Sequence, residues 1–284
     1  MRLNPFNPGS IRVEDQRGGF PGGGGGKVGC GAIVVALIGA LVFGIDPGQM
    51  LGTMDQMQGS GQVESGQAGT TAEESCAVNA YSQESCAALA SLDQTWAPLF
   101  QQAGIAFRQP KLVFYSQRGQ SGCGAAQSAM GPFYCPADEG IYIDTDFYDQ
   151  MDRQLGAGPG DFARYYVIAH EYGHHIQAIT GVANQIRSAQ QQNPRQANQL
   201  QVLMELQADC YAGVWAGQNR NAIEPGDFEE GMQAASAIGD DALTDGRVSP
   251  ENFTHGTSAQ RMQALRIGLE SGDDTQCDRI VELR

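Results

Sequence analysis

Residues 166–175 read Tyr-Val-Ile-Ala-His-Glu-Tyr-Gly-His-His, and no other stretch restricts the fold of this chain as strongly. His170 and His174 stand four residues apart. On a helix their imidazoles project from one face about one turn apart, close enough for two neutral ring nitrogens to reach one metal ion. Glu171 lies beside them, where a carboxylate can accept a proton from water. Five residues of this kind also occur by chance in helices. The meaning of the motif therefore turns on a third ligand and on the compartment.

The chain has four histidines, at 170, 174, 175 and 255. A third histidine at the spacing H-E-x-x-H-x-x-G-x-x-H is excluded, because Gln177 and Thr180 occupy the later positions. The inverted H-x-x-E-H arrangement is absent as well. The remaining route is a carboxylate on a later helix. Glu205 and Asp209 stand at i and i+4 among Leu203, Met204, Leu206, Ala208, Cys210, Tyr211, Ala212 and Val214. Two acids on a helix are ordinarily solvated, but in surroundings this apolar they need partners. Glu205 is therefore expected to be the third metal ligand. Asp209 is expected to accept the free ring N–H of a ligating histidine. His175 is rotated about 100° from His174 and is expected to pack or cap rather than to bind the same ion. His255, just ahead of a helix, is either an ordinary surface histidine or a catalytic group that stabilises the oxyanion of a tetrahedral intermediate. Arg261 is placed to orient an acid of the site such as Asp209.

Catalytic zinc takes three protein ligands and keeps a position for water, so the expected cofactor is Zn²⁺ and the expected ligands are His170, His174 and Glu205. The chemistry they imply is peptide-bond hydrolysis by a zinc-activated water, with Glu171 as general base. The alternative is a membrane-tethered binding or scaffold protein with a structural or vestigial zinc site. Such a site favours a fourth protein ligand and has no use for an acid beside the first histidine.

The formal net charge of −15 argues against nucleic acid as a partner, since a phosphate backbone requires a basic face. Residues 28–45 form an eighteen-residue run without charge. As a helix it spans about 27 Å, enough for a hydrocarbon core. Basic residues precede it and Asp46 follows, which predicts a single-pass anchor with its N-terminus in the cytoplasm. A cleaved signal peptide fits less well, because the far end lacks small residues. Seven cysteines occur, and Cys30 lies in the apolar run, leaving an even six. Six cysteines beyond an anchor suggest disulfides in an exported domain. Cys123 and Cys135, flanking a short Gly- and Pro-containing stretch, are the one expected pair. No C-x-x-C is present.

Four segments follow: a Gly-rich cytoplasmic tail (1–27), the transmembrane anchor (28–45), a flexible linker (46–85) and a folded domain (86–284). Within the domain, Leu89, Leu92, Trp96, Leu99 and Phe100 mark an amphipathic helix. Strands are predicted at 111–116, 131–135 and 140–144, with a loop at 121–129. A short helix at 147–155 precedes the motif helix at 162–179, for which Asp161 is the predicted N-cap and Gly181 the stop. A polar Gln-rich section leads to the helix carrying Glu205, which ends near Gly217. Helices at 227–238 and 258–269 complete the chain. The fold class is α+β, a small sheet joined to the motif helix and the helices after it.

His170-Glu171-x-x-His174 with Glu205-x-x-x-Asp209 resembles the gluzincin branch of metallopeptidases. More narrowly, the chain resembles the bacterial YpfJ-like neutral zinc metallopeptidase family. The N-terminal Gly-rich tail and apolar run, Ser121-Gly122-Cys123-Gly124, Gly131-Pro132-Phe133-Tyr134-Cys135-Pro136, residues 170–177, 205–213 and 254–261 carry the likeness. It implies a zincin-like domain behind one N-terminal transmembrane helix, in the bacterial inner membrane with the C-terminal domain outside the cytoplasm. It also implies a peptide or protein substrate. Residues 255–261 further resemble the segment after the ligand helix in HtpX-like membrane proteases, with Gly256 where proline stands there.

Overall fold

The computed structural model describes residues 1–17, 70–154 and 160–282. In chain order the elements are strand β1 (Arg12–Asp15), helices α1 (Ala72–Cys76) and α2 (Ala80–Ala103), and strands β2 (Lys111–Tyr115), β3 (Arg118–Ser121), β4 (Gly124–Gln127), β5 (Phe133–Cys135) and β6 (Gly140–Asp144). Helices α3 (Asp146–Gln154), α4 (Asp161–Thr180), α5 (Val182–Gln192), α6 (Ala197–Gln218), α7 (Asp227–Ala237), α8 (Asp240–Leu243), α9 (Ser258–Ser271) and α10 (Thr275–Asp278) follow.

A four-stranded sheet has the order β1-β2-β6-β5, with β1 and β6 parallel to β2 and β5 antiparallel to β6. The two central strands are apolar along their length because both faces are covered. Leu112, Phe114, Ile141 and Ile143 face the helices and join the main core. Val113, Tyr115 and Tyr142 face the other way, into a small second core with Phe133, Cys135 and Ala126 under the β3–β4 hairpin. That hairpin replaces the loop expected at 121–129. Its strands are short and Gly-rich, so no apolar alternation announces them. The Gln-rich section likewise contains a helix, α5, whose buried side is only Ala183 and Ile186.

On the helical side, α4 packs between α2 and α6, and α9 lies against α6. Glycines allow the closest approach: a Cβ on Gly213 would sit 2.2 Å from the Leu265 carbonyl oxygen, and one on Gly268 would sit 2.0 Å from that of Cys210. The N-cap of α4 is Gly160 rather than Asp161. A side chain at 160 would collide with the Glu230 carboxylate. Asp161 begins the helix instead, and its Oδ1 accepts from the Met1 amino group at 2.6 Å. Three disulfides staple the domain: Cys76–Cys86, the expected Cys123–Cys135, and Cys210–Cys277.

The expectation of a domain behind an N-terminal transmembrane helix requires correction. Among the described residues no helix is long and apolar enough to cross a membrane, and residues 28–45 lie outside those described. Residues 1–17, expected as a cytoplasmic tail, are instead built into the domain. Met1 and Ile11 are buried in the main core, with Leu3, Phe6 and Val13 packed against it. β1 pairs with β2 over four residues. The Arg17 guanidinium donates to the Ser75 carbonyl (2.7 Å) and to the Ser82 hydroxyl (2.6 Å), and stacks over Phe114 at 4.4 Å. A tail on one side of a bilayer and a domain on the other could not share a sheet. The physical reason for the miss is that four residues with alternating partial burial carry almost no local signal. The expected linker also yields to structure at its end, where α1 and the start of α2 precede residue 86.

Candidate metal centre

Helix α4 presents His170, Glu171 and His174 toward α6, which presents Glu205. Gly173, between the two histidines, lets the helices meet. A Cβ there would stand 2.8 Å from Ala208 Cα and 2.9 Å from its carbonyl oxygen. Glu205 Oε2 consequently lies 3.2 Å from His170 Nε2 and 3.6 Å from His174 Nε2. One donor atom from each of the three residues falls within 4.8 Å of the others. The other Glu205 oxygen accepts from Gln201 Nε2 at 2.9 Å.

Each ring is held from behind. His170 Nδ1–H donates to Asp209 Oδ1 at 2.8 Å, and His174 Nδ1–H donates to Gln177 Oε1 at 2.9 Å. With both protons placed on Nδ1, both Nε2 atoms are free for a cation. Two imidazole nitrogens and one carboxylate oxygen are a borderline-to-hard donor set that suits zinc. The three residues therefore fit the group that the motif implies.

Asp209 is the hub behind His170. Fully buried, it accepts from the Tyr166 hydroxyl (2.6 Å), from His170, and from Arg261 through Nε and Nη2, both at 2.8 Å. Burial alone would raise its pKa, but the Arg261 guanidinium and the His170 ring outweigh burial and hold it below the usual carboxylate range. Burial would likewise lower His170, yet the Asp209 carboxylate reverses this and raises the ring to about 9. For Glu205, burial is overcome by His174 and His170, and the carboxylate sits well below its ordinary value. Glu171, also buried, moves the other way: desolvation raises it, against the lowering by His170 and His174.

His255 approaches from the loop before α9. A Cβ on its neighbour Gly256 would stand 3.1 Å from Val202 and 3.5 Å from Leu206, so this loop lies on α6 beside Glu205. Asp240, the first residue of α8, organises the loop. Its Oδ2 accepts the backbone N–H groups of Thr254 (2.8 Å), His255 (2.6 Å) and Gly256 (2.9 Å), and its Oδ1 lies 3.1 Å from His255 Nδ1. His255 is 3% exposed, so it is not a surface residue, and its Nε2 has no hydrogen-bond partner among the described residues.

His175 points away from the centre. Its Nε2 lies 2.6 Å from the Arg108 carbonyl, which can only accept, so Nε2 donates and Nδ1 accepts from the Tyr134 hydroxyl at 3.0 Å. Burial lowers its pKa to about 4. The neutral ring ties α4 to β5. A second acidic group, Asp161 with Asp227 and Glu230, lies at the start of α4, where the Met1 amino group stands 2.6 Å from Asp161 and 2.8 Å from Asp227.

Tyr166, Gln177, Gly173 and Asp240 belong to the site although the motif reading passes them over. Tyr166 and Gln177 were within reach of the sequence: they stand one turn before His170 and one turn after His174, on the face that carries the histidines. Asp240 gives no local signal, since only the α8–α9 turn brings it beside His255.

The model of the family described as "Putative neutral zinc metallopeptidase" matches residues 5–280. The uncharacterized protein YpfJ of Escherichia coli K12 is 53% identical over 197 residues, covering 67% of this chain and 68% of that one. The uncharacterized protein Rv2575 of Mycobacterium tuberculosis H37Rv is 37% identical over 262 residues, 84% of each chain. No solved structure matches this chain.

Proposed function

Because this chain belongs to the neutral zinc metallopeptidase family, we propose that it is a zinc-dependent endopeptidase that cuts extended polypeptide outside the cytoplasm. One observation carries the reading: three protein donors converge, with both rings locked to offer Nε2, and an acid sits next to the first ligand. Held by His170, His174 and Glu205, the ion supplies Lewis acidity, which makes water a better nucleophile near neutral pH and polarises a carbonyl.

The chain's own residues do the rest. Glu171 accepts a proton from the attacking water as the new C–O bond forms, and delivers it to the leaving amine as the C–N bond breaks. Its buried setting, which favours the protonated form, suits a group that must take up a proton and give it back. His255, whose ring Asp240 orients through Nδ1, sets its otherwise unpartnered Nε2 to hydrogen-bond the carbonyl oxygen as negative charge develops there. Tyr166 and Arg261 keep Asp209 ionised and aimed at His170. Three disulfides support a compartment in which thiols are oxidised.

The direct test is Glu171→Gln in the full chain. The variant should retain one zinc per chain and lose cleavage of a chemically unfolded protein by about 10²–10⁴-fold. Wild type that carries stoichiometric zinc and cleaves nothing across a broad peptide library would overturn the proposal.

A further inference from the structure

We propose that Gln177 is the positioning residue of the second histidine, performing for His174 with a neutral amide what Asp209 performs for His170 with a charge; this rests on the zinc-site reading above. The amide can be oriented from its surroundings. Its nitrogen lies 2.7 Å from the Met204 carbonyl, a group that only accepts, so the N–H side must face α6. The second amide hydrogen goes to Gln207 Oε1 at 3.0 Å. Gln177 Oε1 is thereby turned toward His174 Nδ1, 2.9 Å away, and that ring nitrogen has to be the donor. Reversing the amide would set its oxygen against the Met204 carbonyl.

Gln177 and Gln207 are both 0% exposed, so water cannot replace either partner. The anchoring carbonyl belongs to the residue directly before Glu205. One amide thus joins the His174 ring on α4 to the backbone that carries the third donor on α6, and sets the ring's tautomer and the distance between two ligands together. The backing of the two histidines is unequal: a carboxylate already paired with Arg261 stands behind one, and an uncharged carbonyl behind the other. An uncharged acceptor raises ring basicity less, so His174 is the weaker donor of the pair and the one more dependent on its geometry.

The test compares Gln177→Leu with Gln177→Glu in the full, disulfide-intact chain, reading zinc affinity by chelator competition and folding by circular dichroism of the metal-free protein. Gln177→Leu should fold and bind zinc about 10–100-fold more weakly. Gln177→Glu keeps an acceptor for His174 but sets its second oxygen against the Met204 carbonyl. Its affinity should therefore fall between those of wild type and Gln177→Leu. Leucine binding zinc as tightly as wild type, or glutamate binding it as weakly as leucine, would overturn the assignment. Nitrogen-15 NMR of zinc-loaded wild type gives a check independent of any variant. It should find the metal at His174 Nε2 and a proton at Nδ1, and the opposite arrangement would sink the proposal. Wild type that binds no stoichiometric zinc would instead refute the zinc-site reading itself.

Discussion

His255 shows how a single atom can carry a functional argument. Leaving a buried polar atom without a partner costs about 1–3 kcal/mol, yet Nε2 of His255 is left so while three backbone N–H groups converge on the Asp240 that holds its ring. His255→Phe keeps those three donors on Asp240. It should bind zinc as wild type does and lower kcat by about 10²–10³-fold, read as cleavage of an unfolded protein by zinc-loaded enzyme. Asp93 gives a pH prediction at the same scale. Buried on α2, it accepts from the Tyr172 hydroxyl at 2.7 Å and from Gln109 Nε2 at 3.0 Å. Burial raises its pKa to about 7, outweighing the lowering by these two donors. Its folded pKa is above the unfolded one, so the folded state binds the proton more tightly. Asp93 therefore costs no stability below pH of about 4, and stability declines as pH rises from there through about 7. Asp93→Asn should remove that decline in urea titrations run across the range, and an unchanged slope would contradict it. The histidines and carboxylates of the centre were legible because their spacing is a local property of one helix. The partners of His255 and Asp93 were not, because those contacts join distant segments.

At the scale of elements, the centre depends on how closely α4 and α6 cross. Gly173→Ala removes a flexible glycine from a helix interior, a change normally worth up to about 1 kcal/mol in favour of the variant. Here the added methyl would meet the Ala208 backbone at 2.8–2.9 Å. Backbone cannot yield as a side-chain tip can, and overpacking of this kind costs about 1–3 kcal/mol. Gly173→Ala should lower both the melting temperature and the zinc affinity, since separating the helices moves Glu205 away from the histidines. A variant more stable than wild type would show that the contact is relieved cheaply. The long helices and the central strands were readable because period and composition agree over many residues. The β3–β4 hairpin and α5 were not: one is held by backbone pairing in a Gly- and Ser-rich stretch, the other by a buried side of two residues.

For the whole molecule, the consequential contact is the parallel pairing of β1 with β2, reinforced by Arg17 on Ser75 and Ser82. Residues 1–17, 70–154 and 160–282 pack around one core and must share one side of any membrane. In a Cys30→Ser background, Ser10→Cys and Val78→Cys place thiols at exposed positions on the two parts. An impermeant maleimide should label both from the same side of intact cells or vesicles, and labelling from opposite sides would break the prediction.

Read alone, the amino-acid order was enough to locate the helix with the paired histidines, the carboxylate helix, one disulfide and the α+β class. These follow from helical period, residue chemistry and short-range spacing. It also led to a wrong N-terminus, because an uncharged eighteen-residue run and its flanking charges say nothing about strand pairing across some hundred residues. Which glycines let α4, α6 and α9 close together, which buried donors set the proton on each histidine, and where the first seventeen residues belong are settled by packing. Those contacts join residues far apart in the chain, and their energies come from burial and mutual geometry that no local pattern encodes.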